Sequence, residues 1–145
     1  MRLYDTDFYL WTQEQATLLR EGKVQALDLA NLAEEIESLG KSQHRELARR
    51  LDVLVMHLLK WRYQPARRQE GHSWRATIRM QWRELRRLLQ QNPSLQREVL
   101  VVLTEDHHEM RLDASDETDL PLATFPAACP WTPEQVLDPD FFPEP

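Results

Sequence analysis

Apolar positions recur along the chain at helical spacing, and no stretch alternates as a half-buried strand would. Phe8, Trp11, Gln15, Leu18 and Leu19 share one face of a first predicted helix. Asp5 or Thr6 can cap its start, and Gly22 ends it. A second predicted helix opens on Asp28, with Leu27 and Leu32 at the spacing of a hydrophobic staple. Its stripe is Leu29, Leu32, Ala33, Ile36 and Leu39, expected to face the core, and Gly40 is expected to close it. A third begins near Ser42 and aligns Leu47, Leu51, Leu54, Val55, Leu58 and Trp61. Val53, Met56 and Leu59 cover much of its other side, which predicts a central, buried C-terminal half. Pro65 and the loop Arg67-Arg68-Gln69-Glu70-Gly71 stop it.

A fourth helix is predicted from a Ser73 cap to Gln91, with Trp74, Ile78, Trp82, Leu85, Leu88 and Leu89 as its apolar face. Asn92-Pro93 is a stop signal. The fifth runs from Ser94 to about Leu112, and Asp106 is an oddity in the register of Leu95, Val99, Val102 and Leu103. After Asp113 the composition changes, with seven of the nine prolines in the last 25 residues. Leu120, Leu122, Phe125, Trp131, Val136, Leu137, Phe141 and Phe142 make this segment too apolar for a disordered tail. An extended strap is expected, seating Trp131 and Phe141 or Phe142 on the bundle. Thr132-Pro133-Glu134-Gln135 predicts one helical turn with a capping box.

The fold class read from this pattern is all-α. The expectation is a single domain over 1–145, with a bundle of about five helices over 1–112 and a strap over 113–145. A chain of 145 residues can bury enough surface to fold without disulfide or metal. The single Cys129 allows no intrachain disulfide and no structural zinc pattern. The start, Met1-Arg2-Leu3-Tyr4-Asp5, lacks the apolar core of a signal peptide, and no apolar run reaches the ~20 residues of a membrane span. Cytoplasmic placement, with no membrane partner and no cofactor, is the expectation.

Charge changes this picture. The net −6 conceals three blocks: −5 over residues 1–40, +9 over 41–100 and −10 over 101–145. Arg75, Arg79, Arg83, Arg86 and Arg87 lie along a flank of the fourth helix, where Glu84 is the one acid. Guanidinium forks suit phosphate, so this flank is a candidate anion-binding face. The competing expectation, ranked higher, is that carboxylates of residues 105–119 or 134–144 fold over it.

Carboxylates and bases beside an apolar stripe need partners, because an unpaired buried charge is expensive. Asp28, Asn31, Glu34 and Glu35 on the second helix, with His57 and Lys60 on the third, form the candidate polar cluster. If these helices pair as an antiparallel hairpin, Glu35 approaches Arg45, Arg49 or Arg50, and His57 and Lys60 approach Asp28 and Asn31. Glu35 is expected to be at least half buried and paired with a basic side chain. The Glu105/His108 spacing and the pair His107-His108 are too sparse for a metal site, and none is assigned. No phosphate-binding glycine loop, nucleophile motif or Cys-x-x-Cys is present.

Several motifs together resemble a known family. They are Tyr4-Asp5-x-Asp7-Phe8-Tyr9-x-Trp11, Asp28-x-x-Asn31-Leu32-x-Glu34-Glu35-Ile36-Glu37-Ser38-Leu39-Gly40, and Met56-His57-Leu58-Leu59-Lys60-Trp61-x-Tyr63-Gln64-Pro65. Trp74-x-x-Thr77-Ile78 and Cys129-Pro130-Trp131-Thr132-x-Glu134-Gln135 continue the likeness over nearly the whole chain. The family is a bacterial one catalogued only as domain of unknown function number 29. The resemblance implies an all-helical cytoplasmic domain and no assigned activity. It also implies that Asn31, Glu34, Glu35, His57, Lys60 and Trp61 belong to a shared pattern. With no catalytic constellation complete, the functional expectation is a non-catalytic module that binds a protein partner or its own copy. A nucleic-acid-associated protein using the arginine face ranks next, and an enzyme with a carboxylate/His site between helices ranks third.

Overall fold

The structure is a computed structural model and describes residues 2–68 and 72–144. Seven α-helices and no strand are found among the described residues. They are α1 (Leu3–Thr6), α2 (Phe8–Arg20), α3 (Leu29–Tyr63), α4 (His72–Gln91), α5 (Glu98–Glu105), α6 (His107–Thr118) and α7 (Pro133–Val136). The all-α reading holds. The chain forms two compact units, Met1–Ser42 and Gln43–Pro145.

Two predicted helices are one. The second and third merge into the 35-residue α3, so they do not pair as a hairpin. Gly40, which the pattern predicts as a terminator, lies inside the helix, where an added Cβ would meet nothing within 4 Å. A mid-helix glycine costs roughly 1 kcal/mol against alanine, which flanking helix formers can absorb. Gly22 does end its helix, at φ +69°, a left-handed conformation that glycine adopts without a Cβ penalty.

The first unit holds α1, α2 and the start of α3. Asp7, rather than Asp5 or Thr6, caps α2, its Oδ1 accepting the Leu10 N–H at 3.0 Å. Trp11 and Gln15 are its buried residues on α2.

The second unit is built on the C-terminal half of α3, whose Leu47, Leu51, Leu54, Val55, Leu58, Leu59 and Trp61 are all buried, as the periodicity predicts. Ile78, Leu85 and Leu88 of α4 and Val99, Val102 and Leu103 of α5 complete the same core. α4 opens at His72, so Ser73 lies inside it; Gln69, Glu70 and Gly71 of the predicted loop are outside the described residues. Asp106 resolves as the break between α5 and α6. α6 runs on to Thr118, past the composition change at Asp113, and ends on left-handed Asp119 at φ 58°.

The strap packs on this core. Phe125 and Val136 are fully buried, Trp131 meets Phe141 edge-on at 5.8 Å, and Phe142 lies 5.0 Å from Trp61. The Thr132/Gln135 capping box is present. An extended proline-rich segment has few N–H groups, so its seating depends on donors reaching its carbonyls. Side chains supply them. Ser115 donates to Leu120 O at 2.7 Å, and Arg111 to Leu122 O at 3.1 Å and Phe125 O at 3.0 Å. His107 Nε2 lies 2.9 Å from Pro126 O, the Trp82 indole donates to Leu137 O, and Arg68 donates to Pro143 O at 3.1 Å.

Candidate functional site

The six candidate polar residues are divided between the two units. Asp28, Asn31, Glu34 and Glu35 belong to the first unit, and His57 and Lys60 to the second.

In the first unit Asp28 is the hub. Its carboxylate accepts the Asn31 side-chain amide at 2.8 Å and the Trp11 indole N–H at 3.1 Å, and its own N–H donates to Gln15 Oε1 at 2.8 Å. Asn31 foremost, then the Trp11 N–H and the Asn31 backbone N–H, hold the Asp28 carboxyl below its ordinary range against the opposing effect of burial. The hub joins α2 to the start of α3. Glu35 is part-buried, but its partner is not a cation. Tyr4 packs edge-on against Trp11 at 4.8 Å and Phe8 at 5.7 Å, which brings its hydroxyl to donate to Glu35 Oε1. That hydrogen bond, with burial and the charges of Glu35, Glu34 and Asp5, pushes the Tyr4 hydroxyl up to about 12. Glu35→Gln is therefore expected to bring Tyr4 ionisation back toward ~10, read by ultraviolet titration. Stability should change by less than about 1 kcal/mol, because the pair is only part-buried. A Tyr4 titration that does not move would break this assignment.

Between α2 and the start of α3 lies a groove of ≈390 Å³. Phe8, Trp11, Thr12, Gln15, Ala16 and Leu19 form one wall, and Leu32, Glu35 and Leu39 the other. Of these, Phe8, Trp11, Gln15, Leu19, Leu32 and Leu39 belong to the stripes that the periodicity assigns to a core. Instead Phe8 is 47% exposed, Leu29 62%, Ile36 67% and Leu39 65%. The physical reason is layer number: two helices cannot cover each other's apolar stripes without a further element.

In the second unit His57 Nδ1 lies 2.8 Å from Val53 O, an acceptor, which makes Nδ1 the protonated nitrogen. Burial, aided by the charge of Lys60, holds its pKa below the ordinary value, so the imidazole is neutral near pH 7. Lys60 is buried, 3.7 Å from Glu117 and 5.0 Å from the Trp74 ring centre. Sequence reading missed a second charged group here. Asp52 of α3 faces Asp113, Asp106 and Glu109, and its Oδ1 is buried with no hydrogen-bond partner among the described residues; burial first, then the neighbouring carboxyls of Asp113, Asp106 and Glu109, push its pKa up to about 7. The misfit Asp106 was the one sequence signal of this cluster. No three His, Cys, Asp or Glu among the described residues are placed to hold a metal ion.

The arginine flank of α4 is not covered as expected. All five arginines are exposed. Arg87 pairs with Glu84 of its own helix at 3.4 Å; Arg75 lies over Trp61 and Phe142, and Arg86 over Trp82. The strap's Glu144 goes to Arg68 instead, at 3.2 Å. The strap seats by rings and carbonyls, which leaves Glu134, Asp138 and Asp140 facing water.

No helix among the described residues is long and apolar enough to cross a membrane. One family model, described as "Domain of unknown function DUF29", matches residues 3–142. No curated protein and no solved structure matches significantly.

Proposed function

The chain belongs to the DUF29 family, and on that footing we propose that it is a non-catalytic protein-interaction module of the bacterial cytoplasm. Its docking surface is the groove of the first unit, and its occupant an amphipathic helix with basic flanks. The observation that carries this reading is the open groove between α2 and the start of α3, floored by Phe8, Trp11, Leu19, Leu32 and Leu39. Apolar side chains at helical spacing that remain exposed favour a partner. From Phe8 to Leu19 the wall is about 16 Å long, three turns, which more than accommodates the roughly 10 Å that anchors at i, i+3 or i+4, and i+7 span. Charge sets the sign of the partner. Residues 1–42 carry eight acidic and four basic side chains, Glu35 lies on the wall, and Asp5 and Asp7 precede its Phe8 end.

The test uses two labelled helical peptides, one of leucine and lysine and one of leucine and glutamate, read by fluorescence anisotropy. The lysine peptide should bind the full chain and the glutamate peptide should not. Leu19→Asp with Leu39→Asp should weaken the complex at least tenfold, about 1.4 kcal/mol. Equal binding of both peptides, or of wild type and variant, overturns the assignment. A wild-type dimer in sedimentation that the variant abolishes would assign the groove to a second copy instead.

A further inference from the structure

We propose that the exposed arginine stripe of α4 binds the phosphodiester backbone of nucleic acid without reading its sequence. Arg75, Arg79, Arg83 and Arg86 fall within an arc of about 80° and span about 17 Å of helix. A duplex carries one negative charge per ~1.7 Å of axis with both strands counted, so about ten lie along the length of the stripe, more than its four arginines can neutralise. Glu84 projects from the far side of the helix and pairs with Arg87, which leaves the stripe one-signed. Two of its members are fixed in place. Arg75 is 5.4 Å over the Trp61 ring and 5.2 Å over Phe142, and Arg86 is 5.4 Å over Trp82. Ring stacking engages the guanidinium face and leaves its N–H edges for phosphate.

The other two are unengaged: among the described residues no ion pair, hydrogen bond or ring contact involves Arg79 or Arg83. That all five cations of α4 are arginine favours phosphate, whose oxygens match the fork. Nothing in the stripe reads bases. The indole N–H of Trp82 is committed to Leu137 O, and no other aromatic ring is interleaved with Arg79 and Arg83. Next along the strap from Leu137, which Trp82 holds, comes Asp138, whose Oδ1 accepts the Asp140 N–H at 2.9 Å. These two acids, and the net charge of −6, limit the affinity to that of non-specific contact.

The experiment titrates labelled mixed-sequence duplex DNA, the matching single strand, and phosphatidylserine vesicles with the full chain over a range of salt. Duplex binding is expected at about 10⁻⁴–10⁻⁶ M, with a slope of log affinity on log salt of about −3.6 for four arginines and about −2.8 on the single strand. Arg79→Gln with Arg83→Gln should halve the duplex slope, to about −1.8, at unchanged helical content and melting temperature. Arg79→Lys with Arg83→Lys should keep it, which separates charge from any structural effect. No DNA binding at low salt, an unchanged slope in the glutamine variant, or binding of the vesicles but not the DNA overturns the proposal.

Discussion

Phe125→Ala is expected to remove about 3–5 kcal/mol of stability, the cost of deleting a buried aromatic side chain. Phe125 comes from the strap, yet it is 1% exposed and meets the Tyr63 ring edge-on at 5.4 Å. Its carbonyl is fixed by Arg111 Nε at 3.0 Å, so the backbone cannot easily slide inward to fill the hole. Denaturant unfolding should show the loss as a shift in midpoint with little change in slope. Truncation after Asp119 should do worse, since it removes Val136 and the rings of Trp131, Phe141 and Phe142 from the same core. A Phe125→Ala protein within about 1 kcal/mol of wild type would mean that the strap decorates the core instead of completing it.

The second large effect is one of pH. Asp52 has a folded-state pKa of about 7, against about 3.9 for an unfolded aspartate. A raised carboxyl pKa stabilises the fold fully below the unfolded value and loses that contribution as pH rises through the folded one. The window is therefore about pH 4 to 7. His57, with its lowered pKa, and Asp28 and Glu46, with theirs, act in the opposite direction on the acid side. The comparison of Asp52→Asn with wild type isolates the effect. Their melting temperatures should nearly coincide near pH 4, where asparagine mimics the protonated carboxyl. They should then part as pH rises, the variant gaining roughly 2–4 °C by pH 8, or about 1 kcal/mol after allowance for solvent screening at a part-buried site. A variant less stable than wild type at pH 8 would show that the charged Asp52 has a favourable partner.

Much of the fold was legible because it depends on local signals. Leu47 to Trp61, the start of α3 just after Asp28, the Asn92-Pro93 stop and the Thr132/Gln135 box all follow from local spacing. Gly40 was misread for the same reason. A glycine marks an end only where the chain needs a left-handed residue, as at Gly22, and sequence does not show which glycine meets that need. The candidate site was less legible because partners across the fold decide it. Glu35 was assigned a cation, and Tyr4 came instead, from 31 residues away. Asp52 and Asp113 each look like ordinary surface acids until α3 and α6 meet. The arginine flank was legible as a pattern, but its freedom from carboxylates depends on how the strap lies.

The way the strap is held has a consequence for how its attachment can be observed. Its amides close short local turns, such as Thr124 to Pro121 and Phe141 to Asp138, while its carbonyls are what the rest of the unit grips. Prolines contribute no amide at all. Amide hydrogen exchange along residues 120–144 is thus a measure of those local turns, and a strap lifted from the core with its turns intact would give much the same trace. The protons that report docking are on the other side of the contact, among them the indole N–H of Trp82, which donates to Leu137 O.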